Sequence, residues 1–555
     1  MPLSVLKKGT HRWLVLFVLV TGFLVRYMNL MSLSTGHDHA FLIFWSRMVS
    51  EASELGFSPH LIQYLFHGSS EQIISYLLAH QNSLLYALLY GLYENPEKVT
   101  RIVDVVILAL WFKLVGYGIL QARILSMLFQ LGTVWMTYLL TEKITGSRRC
   151  AFLSFVLMAF LPMSVLFSRF VSWHTFGSFF FIIAVYSAIG GIEKRIREGK
   201  RSLLYLSSLL GGVAVLSNTL IPCLLPFIIG GYVWSSAQGR VGEKVKLLLE
   251  WLWPGMVLLL PAVIFLAIRC KEFYQRNIGY DYWNQSFYDK VMIQLGSWSD
   301  IIGVPLMVCA IGGVVLALKM VKEHRVYAVP LLWIFSQFAL FSFISTETLF
   351  RAHLNALPPL VFFASLGMAS IWNGVEMSRL FSSHKVFLRV GVATLFFLLV
   401  LPCAVRLWSV LKNPYHNPFH YGNYEEYLHP LKAEVALVEY IEHRLPPGSV
   451  LFISSHALHS MNILLSDLKK YTFVNLTALY LNHRGKSYRD HVERWYPGYQ
   501  EVNPHFLVTA HADSSFDFFS VLEPSAHCSL MTTIHEYKLF QIRFNPSSAG
   551  HYFPS

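Results

Sequence analysis

Charge is what this chain has least of. Of its 555 residues only 14 % are Asp, Glu, Lys or Arg and 54 % are hydrophobic. Apolar runs of about 18 or more residues recur, which is the pattern of membrane spans and excludes a soluble protein of this length. Cysteine is sparse too. The six (Cys150, Cys223, Cys270, Cys309, Cys403 and Cys528) show no metal-ligand spacing, and all but Cys528 fall inside or at the ends of apolar runs, so they point to neither a metal nor a redox compartment. There is no internal repeat and no low-complexity segment. Lys7, Lys8 and Arg12 precede the first apolar run as in a signal peptide. That run is too long and lacks a small-residue cleavage site, so an uncleaved span is expected. The formal charge of +12 would suit nucleic acid if the basic residues lined one face, but they sit in short clusters between apolar runs. They are topology signals, and no nucleic-acid partner is expected.

About eleven spans are expected, near 12–31, 121–141, 151–168, 176–192, 202–217, 219–236, 247–268, 301–319, 326–344, 355–373 and 390–409. Basic clusters at Lys143/Arg148/Arg149, Lys194–Arg201, Arg240/Lys244/Lys246, Lys319/Lys322/Arg325 and Arg379/Lys385/Arg389 occupy alternate connections. By the positive-inside rule those connections and the N-terminus are cytoplasmic. Residues 32–120, 169–175, 217–219, 269–300, 345–354 and everything after 409 then face outward, across a membrane expected to be a prokaryotic plasma membrane. Within the first outer loop, 39–56, 76–94 and 105–118 read as amphipathic helices at the membrane surface. In the first of these, Phe41, Leu42, Trp45, Val49 and Ala52 form the apolar face and Ser46, Arg47 and Glu51 the polar one.

Hydropathy falls after Val410. The expected organisation is therefore a membrane domain over 1–409 and an extracytoplasmic α/β domain over 410–555. The latter should hold a helix at 431–444 with Val435, Val438 and Ile441 on one face, a strand at 449–454, and further strands at 471–476, 506–510 and 532–543. A small open sheet flanked by helices follows.

Ionisable groups near a bilayer are costly, so those gathered on its outer side are functional candidates. Gly36-His37-Asp38-His39 follows the first span. Asp38 could cap the helix after it, and a carboxylate at this boundary could also accept a proton from a hydroxyl. Ser168-Arg169 through Trp173-His174-Thr175 forms a short outer connection, where Arg169 could snorkel or bind an anion. Arg351-Ala352-His353 precedes Pro358-Pro359 at a span start. An outer-face arginine runs against the positive-inside preference, and phosphate is the natural partner for its guanidinium.

The order of these features, with Gln121-Ala122-Arg123-Ile124-Leu125-Ser126-Met127-Leu128-Phe129 running to Tyr138-Leu139-Leu140-Thr141, resembles the GT-C superfamily of polyprenyl-phosphate-sugar glycosyltransferases. Within it, the chain is similar to the group of protein O-mannosyltransferases and the lipid A aminoarabinose transferase. The resemblance runs over about 10–375 and is strongest at 120–190 and around Arg351-Ala352-His353. It implies an integral membrane transferase that moves a monosaccharide from a polyprenyl-phosphate donor to a hydroxyl of a protein, lipid or glycan, with inversion. Asp38 matches the catalytic or acceptor-orienting acid. Donor phosphate binding falls to Arg351, His353 and Arg169, with His37, His39, His174 and Asn218 in support. His39 and His174 stand where relatives carry acids, and the segment around Asn218 lacks a lysine that relatives often have. No Asp-x-Asp occurs, so transfer without a metal or other cofactor is expected. The competing readings are a transporter or lipid flippase, which would place ionisable groups near the bilayer midplane, and a catalytically inactive relative.

Overall fold

The computed structural model describes residues 8–28, 30–31, 37–52, 101–218, 224–237, 240–268, 286–343, 350–377, 385–413, 419, 431–453, 464, 471–475, 505–510, 526–535 and 537–544. They fall into two compact units, 1–30 with 45–424, and 31–44 with 425–555.

In chain order the helices are α1 (Lys8–Tyr27), α2 (His37–Glu51), α3 (Ile102–Val115), α4 (Ile119–Thr145), α5 (Arg148–Phe160), α6 (Pro162–Ser168), α7 (Trp173–Glu198), α8 (Ser202–Val215), α9 (Leu225–Ser236), α10 (Val241–Ile268), α11 (Phe287–Ile302), α12 (Val304–Met320), α13 (Ala328–Phe343), α14 (Leu357–Met377) and α15 (Lys385–Lys412). A 3-10 turn, Phe350–Ala356, leads into α14. Among the described residues six helices are long and apolar enough to cross a membrane, or up to eight if each bent pair forms one span.

The expected spans need several corrections. The run at 151–168 is two helices, α5 and α6, bent by 54°. Pro162 starts α6, has no N–H to continue the ladder of α5, and ends that helix. The span expected at 301–319 begins inside a corner of 109° between α11 and α12. There Gly303 adopts φ +82°, a conformation that glycine reaches without strain. α8 is only 14 residues long. Of 219–236, residues 225–236 form a helix and 219–223 lie outside the described residues, as does all of 76–94.

α2 forms where its periodicity predicts, but of its polar face only Glu51 is exposed. Ser46 and Arg47 are buried along with Leu42, Trp45 and Val49. Arg47 pairs with Glu51 at 2.7 Å and lies over the Tyr117 ring, 4.5 Å from its centroid. The cation is thus held by an acid and an aromatic face. α3 is apolar on nearly every side, so its length of 14 residues rather than its amphipathicity argues against an independent span.

With lipid on the outside, hydrophobic burial does little to join membrane helices, and close backbone approach takes over. A Cβ added at Gly313 of α12 would strike the Phe363 carbonyl of α14, and one at Gly367 would strike the Cys309 carbonyl. A Cβ added at Gly191 of α7 would likewise lie 2.7 Å from the backbone nitrogen of Leu204 of α8. Gly313→Leu should therefore force α12 and α14 apart, costing about 2–3 kcal/mol or more, and lower the thermal midpoint in detergent. An unchanged midpoint would contradict the packing described. At the helix ends carrying the basic clusters, Arg195 of α7 reaches both carboxylate oxygens of Glu250 of α10, at 2.8 and 3.1 Å. Arg201 adds a contact to the same acid at 3.4 Å. α10 and α15 carry exposed Trp253, Phe397 and Trp408, as helices facing lipid should.

The second unit contains α16 (Leu431–Arg444) and strands β1 (Val450–Ile453), β2 (Thr472–Asn475), β3 (His505–Ala510), β4 (Ala526–Ile534) and β5 (Tyr537–Phe544), ordered β2-β1-β3-β5-β4. β1 is parallel to β2 and β3, while β5 runs antiparallel to β3 and β4. Leu437, Val438 and Ile441 pack with Leu451, Ile453, Phe506, Val508 and Leu539 to form the core. Val435, expected on this face, is only half-buried. The single strand expected over 532–543 is instead a hairpin of β4 and β5 that turns at His535, whose φ is +52°.

Candidate functional site

The helix ends remote from the basic clusters converge on the segment 169–175, which joins α6 to α7. Phe170, Val171 and Ser172 are fully buried. Ser126 of α4 holds the segment by donating to the Phe170 carbonyl at 2.6 Å. Ser172 caps α7, its hydroxyl accepting from the His174 N–H at 3.2 Å. Arg169 and His174 therefore stand at the two ends of a clamped connection.

Arg169 is fully buried. Its Nη2 donates to the Val25 carbonyl at 3.2 Å, and among the described residues its Nε and Nη1 have no hydrogen-bond partner. Burial pushes its guanidinium down to about 10, so it stays charged at neutral pH. Beside it Arg26, also fully buried, donates to the carbonyls of Gly22 at 3.0 Å and Ala159 at 2.7 Å and to Ser164 Oγ at 2.9 Å. Ala159 lies in the last turn of α5, where the break at Pro162 leaves carbonyls without helical donors, and Arg26 supplies one. Among the described residues no carboxylate bonds to either guanidinium. Arg123 donates to the Leu30 carbonyl at the same end of the bundle.

The two buried histidines share one arrangement. The amide nitrogen of Asn218 donates to His174 Nδ1 at 2.8 Å, and Trp298 of α11 donates its indole N–H to His353 Nδ1 at 3.2 Å. Each Nδ1 is then an acceptor and the ring proton sits on Nε2, so both imidazoles are neutral N–H donors. His353 also packs against Phe341, with centroids 5.0 Å apart. Trp298→Phe keeps the contact with Phe338 and removes the N–H. It should cost about 1–3 kcal/mol and release the His353 tautomer, visible as averaged nitrogen shifts in 15N-histidine spectra. Unchanged shifts would contradict the assignment.

Ser178 connects His174 to Asn355, lying 2.6 Å from the His174 carbonyl and in contact with the Asn355 amide. One hydroxyl hydrogen cannot serve both. With the Asn355 amide turned over, its NH2 donates to Ser178 Oγ while the hydroxyl donates to the carbonyl. That also satisfies an Asn355 nitrogen otherwise without a partner among the described residues.

The structure thus brings together Arg169, His174 and Asn218, with His353 two residues from Asn355 in the 3-10 turn. His37, Asp38 and His39 lie in the first turn of α2, so the helix begins before Asp38 rather than after it. Arg351 lies in the 3-10 turn. The side chains of these four are outside the described residues. Sequence reasoning missed Arg26, Trp298 and Asp104. Asp104 carried a signal, being an acid within the apolar run Ile102-Val103-Asp104-Val105-Val106. Among the described residues no three His, Cys, Asp or Glu side chains gather as a metal site would require.

The sequence over 102–268 matches the family of dolichyl-phosphate-mannose-protein mannosyltransferases. The fold is similar to that of ArnT from Cupriavidus metallidurans in the apo state, with TM-score 0.57, 15 % identity and coverage of 96 % of this chain and 98 % of that one. It is likewise similar to the same protein bound to undecaprenyl phosphate, with TM-score 0.55, 13 % identity and the same coverage. The oligosaccharyltransferase of Archaeoglobus fulgidus matches with TM-score 0.51 and 11 % identity over 92 % of this chain and 70 % of that one. No curated protein matches the sequence at a significant level. The chain thus shares a fold with these membrane proteins. It is similar to protein mannosyltransferases in sequence over 102–268 and to ArnT in architecture over nearly its whole length.

Proposed function

We propose that the protein is a membrane glycosyltransferase that moves a monosaccharide from a polyprenyl-phosphate donor to an acceptor hydroxyl on the non-cytoplasmic face. The observation that carries this reading is the buried pair Arg26 and Arg169, two guanidiniums without a carboxylate bonded to them among the described residues, one with two nitrogens unused. Burying like charges is costly unless an anion completes the site. ArnT, bound to undecaprenyl phosphate, supports a lipid phosphate as that anion.

In the proposed step Asp38 takes the proton of the acceptor hydroxyl. The acceptor oxygen then bonds to C1 of the sugar as the bond from C1 to the phosphate oxygen breaks, with inversion. Polyprenyl phosphate leaves. Its phosphate changes from a singly charged diester to a monoester carrying up to two charges, so cations contacting it stabilise the transition state more than the bound substrate. Arg169 and Arg351 supply that charge, and His353 and His174 contribute neutral N–H groups. Since side chains meet the charge, the step is written without a metal. The acceptor is a protein, lipid or glycan, and the membrane is a prokaryotic plasma membrane with the N-terminus inside.

Undecaprenyl phosphate added to purified protein tests the anion site directly. It should raise the thermal midpoint by several degrees at saturation, whereas undecaprenol should not. Equal effects of the two lipids would refute a phosphate site.

A further inference from the structure

Asp104 has no part in the step just described, yet it is an ionisable side chain buried at a position that favours an apolar one. It is fully buried in the first turn of α3, and among the described residues neither carboxylate oxygen closes a hydrogen bond of good geometry, Ser217 being the side chain close enough to act on it. Burying a carboxyl group with little hydrogen bonding is unfavourable, and a leucine would fill the place more cheaply. Ser217 lies within reach of it. Its hydroxyl, fully buried as well, closes no other hydrogen bond among the described residues. Burial, only partly offset by Ser217 and the Arg101 guanidinium, holds the Asp104 carboxyl well above the usual carboxylate range. The group therefore presents one donor and one acceptor when protonated, and acceptors only when ionised.

The position of the pair identifies what it meets. Ser217 is followed by Asn218, whose amide donates to His174 Nδ1 at 2.8 Å. His174 ends the connection that begins at Arg169. Gly177, one turn into α7, leaves no room for a side chain, since a Cβ there would lie 2.9 Å from Asn218 and 3.7 Å from Ser217. The chain end after α8 is thus pressed onto the start of α7. Asp104, Ser217, Asn218 and His174 thus follow one another as buried polar groups that lead to the connection beginning at Arg169.

We propose that Asp104 and Ser217 form a polyol-recognition site that takes hydroxyls of the monosaccharide being transferred. A carboxyl group beside a hydroxyl offers three oxygens to neighbouring hydroxyls of a pyranose or furanose ring. Such sites discriminate strongly, because a ligand lacking the hydroxyl leaves buried polar atoms unpaired. The pair is closed to solvent, so a sugar reaches it with local rearrangement. The inference rests on the transferase reading and adds the substrate contact that sets sugar choice.

The test compares bare undecaprenyl phosphate with a panel of undecaprenyl-phosphate monosaccharides, each bound to the full-length protein in nanodiscs. Wild type should bind at least one sugar-loaded lipid about tenfold more tightly than the bare lipid. Asp104→Asn should reduce that advantage to about threefold or less while leaving bare-lipid affinity unchanged. Ser217→Ala, which removes one small group and puts folding at less risk, should give an intermediate loss in the same direction. A sugar advantage that survives both variants overturns the inference, as does equal weakening of bare and sugar-loaded lipid. Wild type that binds neither form overturns the donor reading itself, a result distinct from either of these.

Discussion

Asp38→Asn should reduce sugar transfer by about two to four orders of magnitude while leaving the affinity for a polyprenyl-phosphate sugar nearly unchanged. Asparagine preserves size and hydrogen bonding but cannot accept the proton of the attacking hydroxyl, and a positioned general base is worth about that factor. Asp38 lies in the first turn of α2, where the partial positive charge of the helix end favours a carboxylate, so the substitution also removes a favourable helix-end charge of about 0.3–1 kcal/mol. That term is small beside the chemical loss. Single-turnover measurement with a labelled donor separates the two. Undiminished transfer would remove Asp38 from the mechanism, and a loss of binding alone would make it a donor contact.

Arg169→Ala should have the second-largest effect, a fall in kcat/KM of about a hundredfold to a thousandfold, expressed in both KM and kcat. KM rises because the donor phosphate loses a charge partner, and kcat falls because the leaving group gains charge that the guanidinium no longer meets. Part of any loss is structural, since the side chain also donates to the Val25 carbonyl. Arg169→Lys distinguishes the parts. It keeps the charge without the planar fork and should recover some kcat but little of the donor affinity that depends on two parallel N–H groups. A Lys variant no better than Ala in kcat, with both as stable as wild type, would remove charge stabilisation by Arg169 from the account.

Much of the membrane unit was legible because its determinants are local. Long apolar runs and the basic clusters beside them mark the ends of α4, α7, α10 and α14 within a few residues. The breaks were written in the sequence but outweighed by hydropathy. Pro162 and Gly303-Val304-Pro305 interrupt runs that averaging carries straight through. The β4–β5 hairpin was hidden for the opposite reason. It turns at His535 with a positive φ, and the sequence offers no Asn-Gly or Gly there to announce it.

In the site, Arg169, His174, Asn218 and His353 could be named because each lies at the end of an apolar run. What each one touches could not be read. Asn218 meets His174 across 44 residues, and Arg26 meets Ala159 across 133; such pairings depend on how the helices close together. Asp104 lies one residue before a stretch that hydropathy marks only as an interfacial helix, and Trp298 lies in the outer connection expected at 269–300, where no helix was expected and Phe287–Ile302 forms one.

Transfer itself is the direct test of the central claim. Purified protein reconstituted in liposomes would be supplied with a panel of undecaprenyl-phosphate monosaccharides carrying a radiolabelled sugar, together with membrane, protein and glycan acceptors. The account predicts that label from one donor moves to an acceptor, that bare undecaprenyl phosphate is released in equal amount, and that the Asp38→Asn protein does neither. Labelled lipid crossing the bilayer with its sugar still attached, and no release of bare undecaprenyl phosphate from any donor, would contradict the account and indicate a transporter.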